Sequence, residues 1–195
     1  MAAKARLAHI VLMTRQMARL RDWYCSVLDA HVVHENPALC FITFDEEHHR
    51  LALVSPPGAP LVERTPLTVG MHHSAYTFDS LDDLLERYSQ LKASGITPLT
   101  PIQHGVTTSL YYRDPDGNLV ELQIDNFANT DDANAYMVGP EFMADPVGPA
   151  FDPEAMCAAR REGVPASTLT TRAWALTGPT MPDPLARLMS PPETA

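Results

Sequence analysis

Residues 111–126 read YYRDPDGNLVELQIDN. Asp114, Pro115, Asp116 and Gly117 form a turn signal, because proline pre-sets the first corner and glycine accepts positive φ. The flanks alternate in polarity and predict a hairpin of residues 107–113 and 119–124. Leu119, Glu121 and Gln123 share one face of the second strand, and Val120, Leu122 and Ile124 share the other. Glu121 is thus an acid inside an otherwise apolar strand. A buried carboxylate calls for pairing or a metal. Two histidines far upstream, His9 and His73, are the best candidates to meet it.

Working outward, the pattern occurs twice. Residues 7–13 and 71–78 predict strands, each followed by a helical stripe: Met17, Leu20, Tyr24, Val27 and Leu28, then Leu81, Leu84, Leu85, Tyr88 and Leu91. Ser80 or Asp79 suits the start of the second helix and Gly95 its end. His9 precedes Tyr24 by the same fifteen positions that separate His73 from Tyr88, an internal repeat at about sixty-four residues. Setting LAL of residues 51–53 on VEL of residues 120–122 puts Ala52 in the place of Glu121, and the histidine spacing makes His73, rather than His72, the equivalent of His9. His72, of opposite parity, is expected to face the other side. Residues 38–44 and 50–54 predict further strands of the first half. The proline-rich stretch 55–66 reads as a linker.

Beyond Phe127 the character changes: ten of the eighteen prolines follow residue 139, and no histidine follows residue 104. Residues 152–162 predict a short helix closed by Gly163. The rest reads as an extended arm over the domain or a second subunit, with a frayed end at 191–195.

Composition bounds the function. A length of 195 residues and an apolar share of 45% suit an ordinary globular domain. A net charge of -10 without a basic cluster argues against nucleic acid or an anionic membrane as partner. Cys25, Cys40 and Cys157 show no pairing pattern and read as reduced thiols of a cytoplasmic protein. No apolar run suits a signal peptide or a membrane span.

Two histidines and one carboxylate on three strands form a 2-His-1-carboxylate set, which leaves open positions on Fe(II). LAHIVL at the first strand, MHHSAYTF at the start of the second half and YYRDPDGNLVEL at its end together resemble the vicinal oxygen chelate superfamily of glyoxalase, bleomycin resistance and extradiol dioxygenase proteins. The resemblance covers about residues 5–126. It implies an α+β fold of two βαβββ modules, residues 5–54 and 68–126, cupped as mixed sheet around a metal, with residues 127–195 as a proline-rich extension. It implies His9, His73 and Glu121 as ligands of Fe(II), with Mn(II) the alternative.

Within the superfamily, HHRLALV resembles the segment that carries the acid-base histidine of type I extradiol ring-cleaving dioxygenases, which implies that role for His49. Tyr111, ten residues before Glu121, is similar to their substrate-binding tyrosine. His104 resembles their second active-site histidine, although its gap of seven residues to Tyr111 is shorter than in the two-domain enzymes. The IDNFAN and FDPEAMCAARREG segments resemble the small one-domain class. The implied activity is extradiol cleavage of a catechol-type diol by O2, in a homo-oligomer. The alternatives are a glyoxalase-like isomerase or lyase, which would need a fourth ligand near Ala52, and a small-molecule-sequestering protein. His31 and His34 have no supporting pattern and read as surface residues.

Overall fold

A computed structural model describes residues 4–192. Residues 1–3 lie outside it, as do residues 193–195, with most of the stretch expected to fray. The chain divides into two compact units: residues 1–64 with 114–117, and residues 65–113 with 118–195.

The first unit holds β1 (Ile10–Met13), α1 (Met17–Leu28), β2 (His31–Asn36), β3 (Leu39–Thr43) and β4 (Leu51–Val54). Its sheet runs β1-β4-β3-β2, with β1 parallel to β4 and the other pairs antiparallel. Leu12, Leu53 and Cys40 fall in line across one face, with Ile42 and Leu51 beside them, and all are buried. Leu20, Tyr24 and Val27 of α1 are buried as well, at the helical spacing the sequence shows. The opposite face carries Val11, Ala52 and Phe41 in one line. Asp29 ends α1 in the left-handed region at φ 53°. The Tyr24 hydroxyl lies 3.0 Å from Asp114 Oδ2, which ties the four-residue segment 114–117 into this unit.

The second unit repeats the plan with β5 (His73–Thr77), α2 (Leu81–Ala93), β6 (Thr100–Gln103), β7 (Thr107–Arg113) and β8 (Leu119–Asp125). Its order, β5-β8-β7-β6, matches the first sheet position for position. Ser80 caps α2 by accepting a hydrogen bond from the Asp83 N–H at 3.2 Å, and Gly95 follows at φ 80°. Leu110, Tyr112, Val120, Leu122 and Ile124 are buried on one face of the sheet. The other face aligns Ala75, Glu121, Tyr111 and Thr100.

The extension holds the helix expected at 152–162 and elsewhere departs from the expected arm. It forms α3 (Thr130–Met137), α4 (Pro140–Ala144), α5 (Pro153–Arg161), α6 (Ala166–Leu169), α7 (Arg172–Ala175) and α8 (Pro184–Leu188). The prolines that suggested an arm start helices: Pro140, Pro153 and Pro184 stand in first turns, where a missing N–H costs nothing. Asn129, Asp152, Thr171 and Asp183 cap four of these helices. The extension docks on its own sheet. Ala150 bridges Ile102, Arg113 donates to the Ser190 carbonyl at 2.7 Å, and Leu188 packs with Ile102, Tyr111 and Leu119. Tyr88 donates to Glu154 at 2.6 Å, and Arg160 pairs with Asp82. Among the described residues no helix is long and apolar enough to cross a membrane.

Candidate active site

Parallel pairing sets His73 beside Leu119 and Ala75 beside Glu121, so His73 and Glu121 project from the same face. Antiparallel pairing sets Tyr111 directly opposite Glu121. His104 follows β6 with the parity of Thr100 and Ile102, and joins this face. The resulting geometry is tight. His73 Nε2 lies 3.0 Å from Glu121 Oε2, His104 Nε2 lies 3.9 Å from Glu121 Oε1, and His104 Nε2 lies 3.1 Å from the Tyr111 hydroxyl.

Glu121 is only 4% exposed. Burial alone would raise its carboxyl, but hydrogen bonds from His73 and Ser109, with the His73 and His104 charges, outweigh that and hold it below the ordinary carboxylate range. Burial beside this carboxylate drives the Tyr111 phenol upward, so the hydroxyl keeps its proton at neutral pH. Burial lowers His104, and the positive charge of Arg172 adds to that, against the pull of Glu121 and of a main-chain hydrogen bond to Val147.

The first unit gathers a histidine cluster of its own. His9 stands just before β1, and its ring lies 4.4 Å, centroid to centroid, from that of His49. His49 is buried and stacks on Phe41 at 4.3 Å, with its Nδ1 2.6 Å from His48 Nδ1. Desolvation lowers the His49 pKa, and neighbouring His9 and His48 lower it further, so its ring is a free base at neutral pH. Ala52 occupies the place that Glu121 holds in the second sheet, between Val11 and Phe41 as Glu121 lies between Ala75 and Tyr111. A methyl group there offers no ligand.

His72 is exposed and touches its chain neighbour. It precedes β5, where alternation has not begun, and its Nδ1 lies 2.7 Å from His73 Nδ1. The contact occupies one ring nitrogen of His73 and leaves the other toward Glu121. Among the described residues no group of three His, Cys, Asp or Glu side chains is already closed on a common metal position. His73 and Glu121 nevertheless set an imidazole nitrogen and a carboxylate oxygen side by side on the sheet face, donor types that suit such a metal.

The sequence reading missed what surrounds His104. Gln103, Thr108, Asn126, Val147, Gly148 and Arg172 lock the turn that carries it. The only hint in the sequence was the IDNFAN segment, which contains Asn126.

Fold and site define the class. The chain belongs to the glyoxalase/bleomycin resistance protein/dioxygenase superfamily, whose family model matches residues 6–122. It is 59% identical over 191 residues to biphenyl-2,3-diol 1,2-dioxygenase 2 of Rhodococcus globerulus, covering 97% of this chain and 100% of that one. It is 60% identical over 176 residues to biphenyl-2,3-diol 1,2-dioxygenase 3 of the same organism, covering 90% of this chain and 93% of the relative. The fold also matches a glyoxylase/bleomycin resistance protein/dioxygenase domain from a Frankia species, with a TM-score of 0.54, 19% identity, and coverage of 65% of this chain and 96% of that one.

Proposed function

We propose that this chain cleaves a biphenyl-2,3-diol or a related catechol beside its two hydroxyls, with His73, Glu121 and His9 as the metal ligands and His49, His104 and Tyr111 as the groups that act on the substrate. The chain is an extradiol ring-cleaving dioxygenase. The observation that carries the site assignment is the buried Glu121 carboxylate facing His73 Nε2, with Tyr111 and His104 on the same sheet face. We take residues 5–126, in modules 5–54 and 68–126, as the catalytic domain, residues 127–195 as its extension, and the enzyme as a cytoplasmic homo-oligomer.

Fe(II), with Mn(II) the alternative, suits the nitrogen–oxygen donor set and supplies Lewis acidity and a common anchor for diol and O2. The overall reaction consumes one diol and one O2. The O–O bond and one ring C–C bond break, both oxygen atoms enter the product, and no outside reductant is needed.

The protein's own groups have separable tasks. His49 accepts a proton from the diol at its ring, since its lowered pKa keeps it unprotonated at working pH. The nitrogen left free by the His48 contact is the one available for this. Tyr111 holds its proton and donates it in a hydrogen bond to a substrate oxygen. His104 Nε2 lies 3.1 Å from that hydroxyl and accepts its one proton until a substrate oxygen takes the hydrogen bond. Ala52 disfavours the isomerase alternative, because the fourth ligand would have to stand there.

The test is purification without O2, loading with Fe(II), and addition of biphenyl-2,3-diol in air while the visible spectrum is scanned. A yellow ring-opened product that depends on metal is expected. Stoichiometric iron with no colour across a panel of catechols would overturn the proposed substrate class.

A further inference from the structure

The C-terminal extension leaves a charged residue buried with no role in the chemistry above. Arg172 opens α7, yet it is only 6% exposed. Its Nη2 donates to the main-chain carbonyl of His104 at 2.5 Å, and its Nη1 to the Glu141 carbonyl at 3.3 Å. Its guanidinium lies 5.9 Å from the ring centroids of both Tyr136 and Phe142, a cation between two aromatic faces. Burying a guanidinium is costly unless its geometry is used.

Everything around it converges on one turn. The His104 N–H donates to the Thr107 carbonyl at 3.0 Å, so the main chain of His104 is held from both sides. The Val147 main chain accepts a hydrogen bond from the His104 ring itself. The Gln103 N–H donates to the Pro149 carbonyl at 2.9 Å. Gln103 Oε1 accepts from the Gly105 N–H at 2.9 Å and from Asn126 Nδ2 at 2.8 Å. Asn126 also donates to the Gly105 carbonyl at 2.9 Å. Gly105 has φ +87°, and a Cβ there would overlap the Tyr136 ring. The sheet thus supplies half the seat of His104, and the extension supplies the other half through Val147, Tyr136 and Arg172.

We propose that Arg172 is a positioning residue that holds His104 against Tyr111 during ring cleavage. The extension thereby supports a catalytic side chain through its main chain. This rests on the role given to His104 above.

The test combines kinetics with hydrogen exchange on the full-length enzyme. Arg172→Met keeps the buried stem and removes the donors. It is expected to lower kcat on biphenyl-2,3-diol at least tenfold with KM changed less than threefold, while the metal content stays that of the parent. Arg172→Lys keeps the charge but not the two-pronged guanidinium and is expected to restore only part of the loss. His104→Ala/Arg172→Met is expected to be no slower than His104→Ala within twofold, because both changes remove the same interaction. Amide exchange across residues 103–107 is expected to rise in Arg172→Met while that of α2 is unchanged. Arg160→Met, which removes a different tie of the extension, is expected to leave kcat intact.

Should Arg172→Met fail to fold, Tyr136→Leu strips the cation of one aromatic face and must show the same exchange and kinetic pattern. Independent, multiplicative losses in the double variant, or unchanged exchange across 103–107, would overturn the positioning role. A His104→Ala enzyme of parental kcat would instead overturn the role of His104 itself. Parental kcat in Arg172→Met beside a slow His104→Ala would overturn only the proposal for Arg172.

Discussion

Two glycines of the extension offer a matched pair for testing how tightly it is seated. Gly148 has φ +87° and Gly163 has φ +89°, so alanine meets the same left-handed backbone at both. That conformation costs an L-residue about 1–2 kcal/mol. The surroundings differ. At Gly163 nothing lies within 4 Å of an added Cβ, whereas at Gly148 it would fall 2.1 Å from the Gln103 carbonyl oxygen and 3.2 Å from Arg172 Nη2. The first distance is more than an ångström inside an ordinary contact of about 3.5 Å. Gln103 cannot yield freely. Its main-chain N–H is bonded to Pro149, and its side chain to Thr108, Asn126 and Gly105. Relief must break at least one of these buried bonds, which costs about 1–3 kcal/mol. Gly148→Ala is therefore expected to lose about 1–3 kcal/mol more than Gly163→Ala. At about 2–4 °C per kcal/mol for a chain of this size, the gap in Tm is roughly 2–12 °C. Thermal unfolding followed by circular dichroism, with urea unfolding as a check, measures it. Equal losses in the two variants would refute the claim that this loop is wedged against β6.

Three further outcomes test the site and the docking of the extension. Glu121→Ala is expected to lose bound metal, measured by elemental analysis after desalting, because it removes the buried oxygen donor. His49→Ala is expected to keep the metal of the parent and lose turnover by about 10²–10⁴-fold, the usual contribution of a positioned acid-base group, as read in the diol assay. Asp82 and Glu154 both have lowered pKa values, Asp82 through its hydrogen bond to Arg160 and Glu154 through hydrogen bonds from Lys92 and Tyr88. A folded pKa below the unfolded one gives stability that is present above the unfolded pKa and lost as pH falls through the folded one. The Tm difference between the parent and Asp82→Asn/Glu154→Gln should therefore shrink as pH falls through and below the ordinary carboxylate range. A difference that stayed constant down to the acid limit would contradict this.

Glu121 was legible in the sequence because one acid interrupted an alternating strand, and the duplication because two histidines kept the same distance from their helices. Both signals come from periodicity, which a chain writes wherever one face is buried. β2 wrote no such signal: all six of its residues are exposed, so burial imposes no alternation on it. β6 was hidden by its shortness and by Pro101, which an edge strand tolerates. The helix at 152–162 was legible, but the other helices of the extension were hidden because proline serves equally at a helix start and in an extended arm. Arg172 was hidden more deeply. A single arginine in a polar stretch has no period, and its hydrogen-bond partners are main-chain carbonyls that have no letter in the sequence.

The tie between Tyr24 and Asp114 has a consequence for the order in which the chain can fold. The first compact unit is not a continuous piece of sequence, since residues 114–117 belong to it. Ninety residues separate the two partners. A nascent chain that has emerged only through β4 holds the whole of the first sheet and yet lacks the acid that meets the Tyr24 hydroxyl. Closing so long a loop early is entropically unfavourable, though each doubling of length adds only about 0.6 kcal/mol. Completion of the first unit is thus deferred until the second hairpin has turned its corner. A fragment cut at the proline-rich stretch 55–66 would begin life with a buried hydroxyl stripped of its carboxylate, and the complementary fragment would carry the missing corner.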